Sequence, residues 1–420
     1  MYQISRLQNG VTVATAEMPH MASVSVGLWV GVGGRYEPAE LNGVSHFIEH
    51  MLFKGTRKRS ARDISQAIEG IGGYLNAFTT EEMTCYYSKA RHDRFQELLD
   101  VLMDMFLSSA FARAEVEKER NVIKEELAMY LDQPQMRVHE LLNHTLWPNQ
   151  PLGRPLTGNA RTLDAIQRDD LIHYLQAHYV AARSIVTVSG KIRHQEAVKA
   201  VSKFAPRFPD GKCPSFTPAV AQQTAARVQL LTKDTEQTHL ALGIRTCSRH
   251  DERRFALRLL NVILGENTSS RLFQILREDH GLAYSINSSL SYFDDVGTLT
   301  ISAGLETDTL ARTLKLIIGE LQSLAARPPT AGELRRARDY VTGQIDLGLE
   351  GTENRMMWLG EQLLGYGKII SPNEIKRRLK EVTPAAIRAA ARDFFQSDRL
   401  NLALVSPLKT EPRLAGLLPG

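Results

Sequence analysis

The chain is poor in cysteine. It has three in 420 residues, Cys85, Cys213 and Cys247, far apart and odd in number. This argues against a disulfide framework and a cysteine-rich zinc site, and a reducing compartment is the simpler expectation. A strong charge of one sign is also missing. The formal net charge is only +4, and Lys and Arg nowhere cluster with interleaved aromatics, which argues against a nucleic-acid partner. No apolar run reaches the roughly 18 residues of a membrane span. The opening Met1-Tyr2-Gln3-Ile4-Ser5-Arg6 carries no apolar core of a secretory signal. Together these absences predict a cytoplasmic protein with no membrane contact.

What is present reads as globular: 43% hydrophobic and 23% charged residues, in a chain too long for one ordinary core. Phe208-Pro209-Asp210-Gly211-Lys212-Cys213-Pro214-Ser215 is dense in turn formers and lies at mid-chain. It predicts a linker over 208–220 between domains at 1–207 and 221–420. The order of elements then begins again. A strand at Leu299 to Leu305, a helix at Leu310 to Leu324 and a helix at Gly332 to Ile345 repeat Met83 to Lys89, Phe95 to Phe106 and Ala114 to Leu127. This predicts an internal duplication of roughly 200 residues, giving two homologous α+β domains, each a mostly antiparallel sheet with helices on one face.

Near the N-terminus, Val11 to Ala16 and Ser23 to Val32 read as strands, the second with Val24, Val26, Leu28 and Val30 alternating with smaller or more polar residues. Gly31-Val32-Gly33-Gly34 lacks the spacing of a nucleotide loop and reads as a turn. Ser45 is the expected N-cap of the next helix and Gly55 its stop. Tyr74 to Lys89 reads as strand.

That helix carries His46-Phe47-Ile48-Glu49-His50. At 3.6 residues per turn, positions i, i+3 and i+4 share a face, so two imidazoles and a carboxylate point the same way. Neutral imidazoles bind zinc, and a neighbouring glutamate can take a proton from a metal-activated water. The competing reading is one packed and one solvated histidine. Zinc needs a third protein ligand, and the segment Glu119-Arg120-Asn121-Val122-Ile123-Lys124-Glu125-Glu126-Leu127 offers carboxylates. Glu119, Val122, Ile123, Glu126 and Tyr130 fall on one helical stripe. A glutamate on a buried stripe is costly unless paired or metal-bound. Glu126 is therefore preferred over Glu125, which turns toward the polar side, and Glu119 is placed to support a ligating histidine; the competing reading of this helix is a solvated acidic face.

The H-x-x-E-H order followed by E-R-x-V-I-x-E-E resembles the pitrilysin (inverzincin) family of zinc metallopeptidases, which includes insulin-degrading enzyme and the mitochondrial and bacterial processing peptidases. Pro151-Leu152-Gly153-Arg154-Pro155 and His178-Tyr179 extend the resemblance over nearly the whole chain. It implies one Zn2+ per chain on His46, His50 and Glu126, with Glu49 as general base and Glu119 as supporting carboxylate. The length resembles the short two-domain members, similar to the processing-peptidase β subunit, which work as clam-shaped dimers. In the second half Gln344 falls opposite Glu126 and Ala337 opposite Glu119, so no second metal site is expected.

The resemblance further assigns Arg277 and Tyr284 to the substrate carbonyl, supplied in trans if the dimer arrangement holds. It assigns Asn76, Ala77 and Phe78 to a substrate-binding edge strand. From the residues alone, Arg277 reads as a helix-surface group, Tyr284 as a packed strand residue and Asn76 as a polar strand end. The implied function is a zinc-dependent endopeptidase, cleaving peptides or unstructured segments inside a homodimeric chamber by attack of a zinc-activated water. The rival is a non-catalytic peptide-binding or scaffold subunit of a heterodimer with a divergent homologue.

Overall fold

In the computed structural model, which describes residues 2–409 and Leu418, the first half opens with β1 (Tyr2–Arg6), β2 (Thr12–Glu17) and β3 (Ser23–Val30), then α1 (Val44–Leu52) and α2 (Ala61–Glu69). The hairpin β4 (Tyr74–Thr79) and β5 (Thr84–Arg91) follows, then α3 (Phe95–Ser108), α4 (Arg113–Asp132) and α5 (Pro134–Leu146). The half closes with α6 (Ala160–Ala165), α7 (Arg168–His178), β6 (Ser184–Gly190) and α8 (His194–Ser202). The expected strand from Tyr74 to Lys89 is thus two strands. Thr80 breaks it: its N–H donates to the Met83 carbonyl at 2.8 Å, and its hydroxyl takes the Met83 N–H at 3.1 Å.

The sheet runs β1-β2-β6-β3-β5-β4, and every pairing except β2–β6 is antiparallel. Alternation along β3 sends Val24, Val26 and Leu28 to the face where α3 packs, and Gly27 and Trp29 to the other.

The second half repeats this plan with β7 (Arg227–Thr232), β8 (Thr238–Thr246), α9 (Arg253–Asn261), α10 (Arg271–Phe273), β9 (Ala283–Tyr292) and β10 (Gly297–Leu305). It continues with α11 (Leu310–Ala326), α12 (Ala331–Gly348), α13 (Thr352–Tyr366), α14 (Pro372–Glu381), α15 (Pro384–Phe394) and β11 (Leu400–Ser406). Its sheet order, β7-β11-β8-β10-β9, reproduces β2-β6-β3-β5-β4, with one parallel pairing at the matching place. The core between this sheet and α9, α11 and α15 is aliphatic, with Leu240, Leu242, Leu259, Leu314 and Ile387 fully buried. The duplication read from the sequence is therefore present in the topology.

The compact units are interleaved. One takes in the chain up to Ala128, Arg154–Thr217 and Leu347–Ile369; the other takes in Met129–Gly153, Pro218–Asp346 and the chain from Ile370. A single cut at 208–220 separates the sheets but not the units, because each sheet has a second apolar face. In the first unit α13 covers that face, with Met356 and Leu363 against Ala14, Trp29 and Cys85. In the second unit α5 does so, with Val138, Leu142 and Leu146 against Ala241 and Ala403. Helices from the sheet's own half pack on the opposite face. Trp29 is fully buried directly beneath Gly360 of α13, where a Cβ would run into the indole ring.

Candidate metal centre

Helix α1 buries Val44, Ser45, Phe47, Ile48, Met51 and Leu52, while His46, Glu49 and His50 are its half-buried residues. This is the face that the i, i+3, i+4 spacing predicts. Its start differs from expectation. The N-cap is Gly43, at φ 98°, and Ser45 is inside the helix with no exposure. Capping comes from Glu37, whose carboxylate accepts the Gly43 N–H at 2.7 Å and the Ser45 N–H at 2.8 Å. An anion at a helix N-terminus satisfies orphan donors and complements the macrodipole. Glu37 precedes the helix by too many residues to read as a capping box, so sequence pattern alone misses it.

The site closes where α4 meets α1. His46 Nε2 lies 3.7 Å and His50 Nε2 3.4 Å from Glu126 Oε2. Ligands about 2.0–2.2 Å from a tetrahedral zinc stand roughly 3.3–3.6 Å from one another; the two separations are close to this, and all three donor atoms lie within 4.8 Å of one another, near enough to share one ion. Among the described residues they form the one cluster of at least three His, Cys, Asp or Glu groups able to hold a metal, and it lies in the first half. Burial, with the His50 charge adding to it, pulls His46 down to about 4, which keeps its ring neutral at physiological pH.

His50 is fixed from both sides. Glu119 Oε2 lies 3.1 Å from its Nδ1, and the other Glu119 oxygen pairs with Lys54 Nζ at 2.8 Å. Burial alone would lower the His50 pKa, but hydrogen bonds to Glu126 and Glu119 outweigh it and the shift is upward. Along α4, Glu119 and Ile123 are buried, Glu126 is half-buried and Glu125 exposed, as the stripe argument requires. Val122 departs from it: it is 48% exposed, on the margin of the stripe.

Glu49 sits between the two histidines on the same face. Burial raises its pKa, and the Thr79 hydroxyl, donating to Oε2 at 2.5 Å, works against that rise. Thr79, Lys54 and Glu37 are the groups sequence reasoning did not assign. Thr79 ends β4, the edge strand that carries Asn76, Ala77 and Phe78 and packs beside α1. Asn76 Oδ1 accepts the N–H of Ala77 at 2.8 Å. Phe78 turns inward, edge-on to Trp29 with ring centroids 5.7 Å apart.

Arg277 and Tyr284 belong to the second unit. The guanidinium lies 5.3 Å from the centroid of the Tyr284 ring, which is 78% exposed at the start of edge strand β9. The two residues are therefore together, and Tyr284 is not the packed strand residue of the plainer reading.

Residues 12–160 match the family model described as Insulinase (Peptidase family M16), and residues 165–341 match the Peptidase M16 inactive domain. The chain belongs to peptidase family M16, the pitrilysin family. An uncharacterized zinc protease of Streptomyces coelicolor is 38% identical over 409 residues, covering 96% of this chain and 89% of that protein. The uncharacterized zinc protease YmxG of Bacillus subtilis is 39% identical over 408 residues, covering 96% and 98%. Among solved structures, a protease from Helicobacter pylori aligns with a TM-score of 0.92 at 20% identity, over 97% of this chain and 99% of that one. A chain of complex III from Candida albicans aligns at 0.84 and 17% identity, over 99% of each. At these identities the likeness is one of fold. No helix among the described residues is long and apolar enough to cross a membrane.

Proposed function

We propose that the chain is a zinc-dependent endopeptidase acting on peptides or unstructured polypeptide segments. The observation that carries this reading is the convergence of His46 and His50 on Glu126, with the Glu49 carboxylate alongside. A zinc ion held by these three ligands, one per chain, supplies Lewis-acid polarisation and lowers the pKa of water. The chain's own groups supply the rest. Glu49 takes the proton of the attacking water and returns it to the leaving amine. Glu119, bonded to Nδ1 of His50, leaves Nε2 as the ligating atom.

The open edge of β4 takes the peptide as an added strand, with Asn76 turning from the Ala77 N–H to the peptide main chain. Arg277 and Tyr284 donate to the carbonyl oxygen as negative charge builds on it. In a homodimer this pair serves the partner's metal centre. The three free cysteines suit a reducing, cytoplasmic setting.

The test is cleavage of a mixed peptide library by zinc-loaded protein of measured oligomeric state, with and without chelator. Chelation is expected to abolish cleavage, and Glu49→Gln to keep zinc but lose activity. Chelator-insensitive cleavage, or robust turnover by Glu49→Gln, contradicts the mechanism. No cleavage by a zinc-loaded dimer favours the non-catalytic rival.

A further inference from the structure

We propose that the second unit carries a pocket for a peptide carboxylate, formed by His139, His239 and Arg277 around a hollow at Gly304. The choice of ligand rests on the peptidase reading. The hollow begins in the sheet. His239 on β8, Gly304 on β10 and Ser285 on β9 are paired in register and stand in one row across one face. Two residues along, Ser302 and Asn287 pair in the next row of that face.

The middle of the first row lacks a side chain, and a cavity of about 320 Å³ lies there. A Cβ on Gly304 would stand 3.2 Å from Gln237 Oε1, 3.6 Å from Ser285 Oγ and 3.9 Å from His239 Nδ1. Helix α5 walls one side with Gln135 and His139, one turn apart; the end of α10 and the helical segment after it wall another with Phe273 and Arg277.

The lining holds donors and no carboxylate. Arg277 lies over the Phe273 ring at 5.1 Å and the Tyr284 ring at 5.3 Å, and has no ion pair among the described residues. His139 and His239 have no hydrogen-bond partner there either. Desolvation in the hollow lowers the pKa of both imidazoles, His239 half-buried and His139 still open to solvent, so at neutral pH each is an uncharged ring with one N–H to donate. Asn287 Oδ1 already accepts from Ser302 Oγ at 2.7 Å, which leaves its amide N–H groups as further donors.

A guanidinium without an ion pair, together with several neutral N–H donors and no acid in the lining, suits an anion. The volume is at the low end for ligand pockets, enough for one side chain or a chain end. A peptide whose carbonyl meets Arg277 brings its neighbouring residue to this hollow. The anion is therefore a carboxylate of the peptide, either an Asp or Glu side chain or the free C-terminus.

Binding is read by calorimetry on full-length Glu49→Gln protein, which requires no turnover. The probes are N-acetylated Ala/Gly decapeptides with a single Glu or Gln, each made with a free-acid and an amide terminus. The carboxylate peptide is expected to bind about tenfold tighter than its neutral twin. That preference should fall to within about twofold in His139→Leu/His239→Leu and in Gly304→Val, each checked for an intact melting transition. The pair that discriminates, Glu against Gln or acid against amide, identifies the source. Equal affinities in both pairs, or a preference that survives both variants, overturn the pocket. A preference that persists while zinc-loaded wild-type protein cleaves nothing defeats the peptidase reading instead.

Discussion

The Thr79 hydroxyl donates to Glu49 Oε2 at 2.5 Å, tying the last residue of β4 to the acid on α1. One hydroxyl thus joins the strand proposed to take the peptide to the group proposed to move the proton. Thr79→Val keeps the shape and removes the donor. Loss of a hydrogen bond to a charged group, worth about 1.5–3 kcal/mol, should lower kcat by about tenfold or more. Zinc content measured by mass spectrometry should not change, and Thr79→Ser should recover most of the rate. An unaltered kcat in Thr79→Val would show that the contact has no catalytic consequence.

Glu119 links His50 to Lys54, so its removal should act on the metal rather than on turnover of loaded protein. Glu119→Ala is expected to weaken zinc by about 10–100-fold in a chelator-competition titration, the range found when partners of ligating histidines are lost. Glu119→Gln, whose amide oxygen still accepts from Nδ1, should fall between. An affinity within twofold of wild type in Glu119→Ala would remove Glu119 from the site.

Stability should fall on acidification for a reason outside the metal site. Burial would raise the Glu333 carboxyl, but the Arg271 guanidinium and the Thr330 N–H and hydroxyl outweigh it and hold it at about 2. A carboxyl whose folded pKa lies below its unfolded value stabilises the fold above the unfolded value, here the ordinary 4.5. That contribution disappears as pH falls from 4.5 toward 2. Allowing for solvent screening, it amounts to about 2 kcal/mol. Urea unfolding of wild type and Glu333→Gln should therefore differ near neutral pH and converge on acidification. A gap of constant size would exclude this linkage.

Gly360→Ala places a methyl group against the buried Trp29 ring. Overpacking of this kind costs about 1–3 kcal/mol, enough to lower the melting temperature by several degrees. Gly343→Ala, at a helical position with open space around it, is the matched control and should not destabilise. Equal melting temperatures for the two variants would mean that α13 does not press on Trp29 in solution.

Legibility followed the range of each interaction. His46, Glu49 and His50 were readable because their relation is local and set by helical pitch. Glu126 was readable because a carboxylate on a buried stripe needs a partner, although the stripe is narrower than helical spacing suggests and leaves Val122 exposed. The capping of α1 is not local: Ser45 suits an N-cap by residue type, but Glu37 reaches the helix end through a loop rather than from a fixed offset. The break at Thr80 was hidden because Thr and Met on either side suit a strand as well as a turn. The exchange of α5 and α13 was not readable at all. An apolar helical face says that a helix packs, but nothing in it names which sheet receives it.

That exchange has a consequence for how the chain holds together. Severing the backbone within 208–220 would leave two fragments, each with a helix seated on the other's sheet. Covalent continuity at mid-chain is then dispensable once folding is complete, and the nicked protein should persist as a non-covalent pair. Made separately, neither fragment can be whole, because each would expose the apolar face that its missing helix covers. The repeated halves are thereby interlocked, each sheet covered on one face by a helix that the other half of the chain supplies.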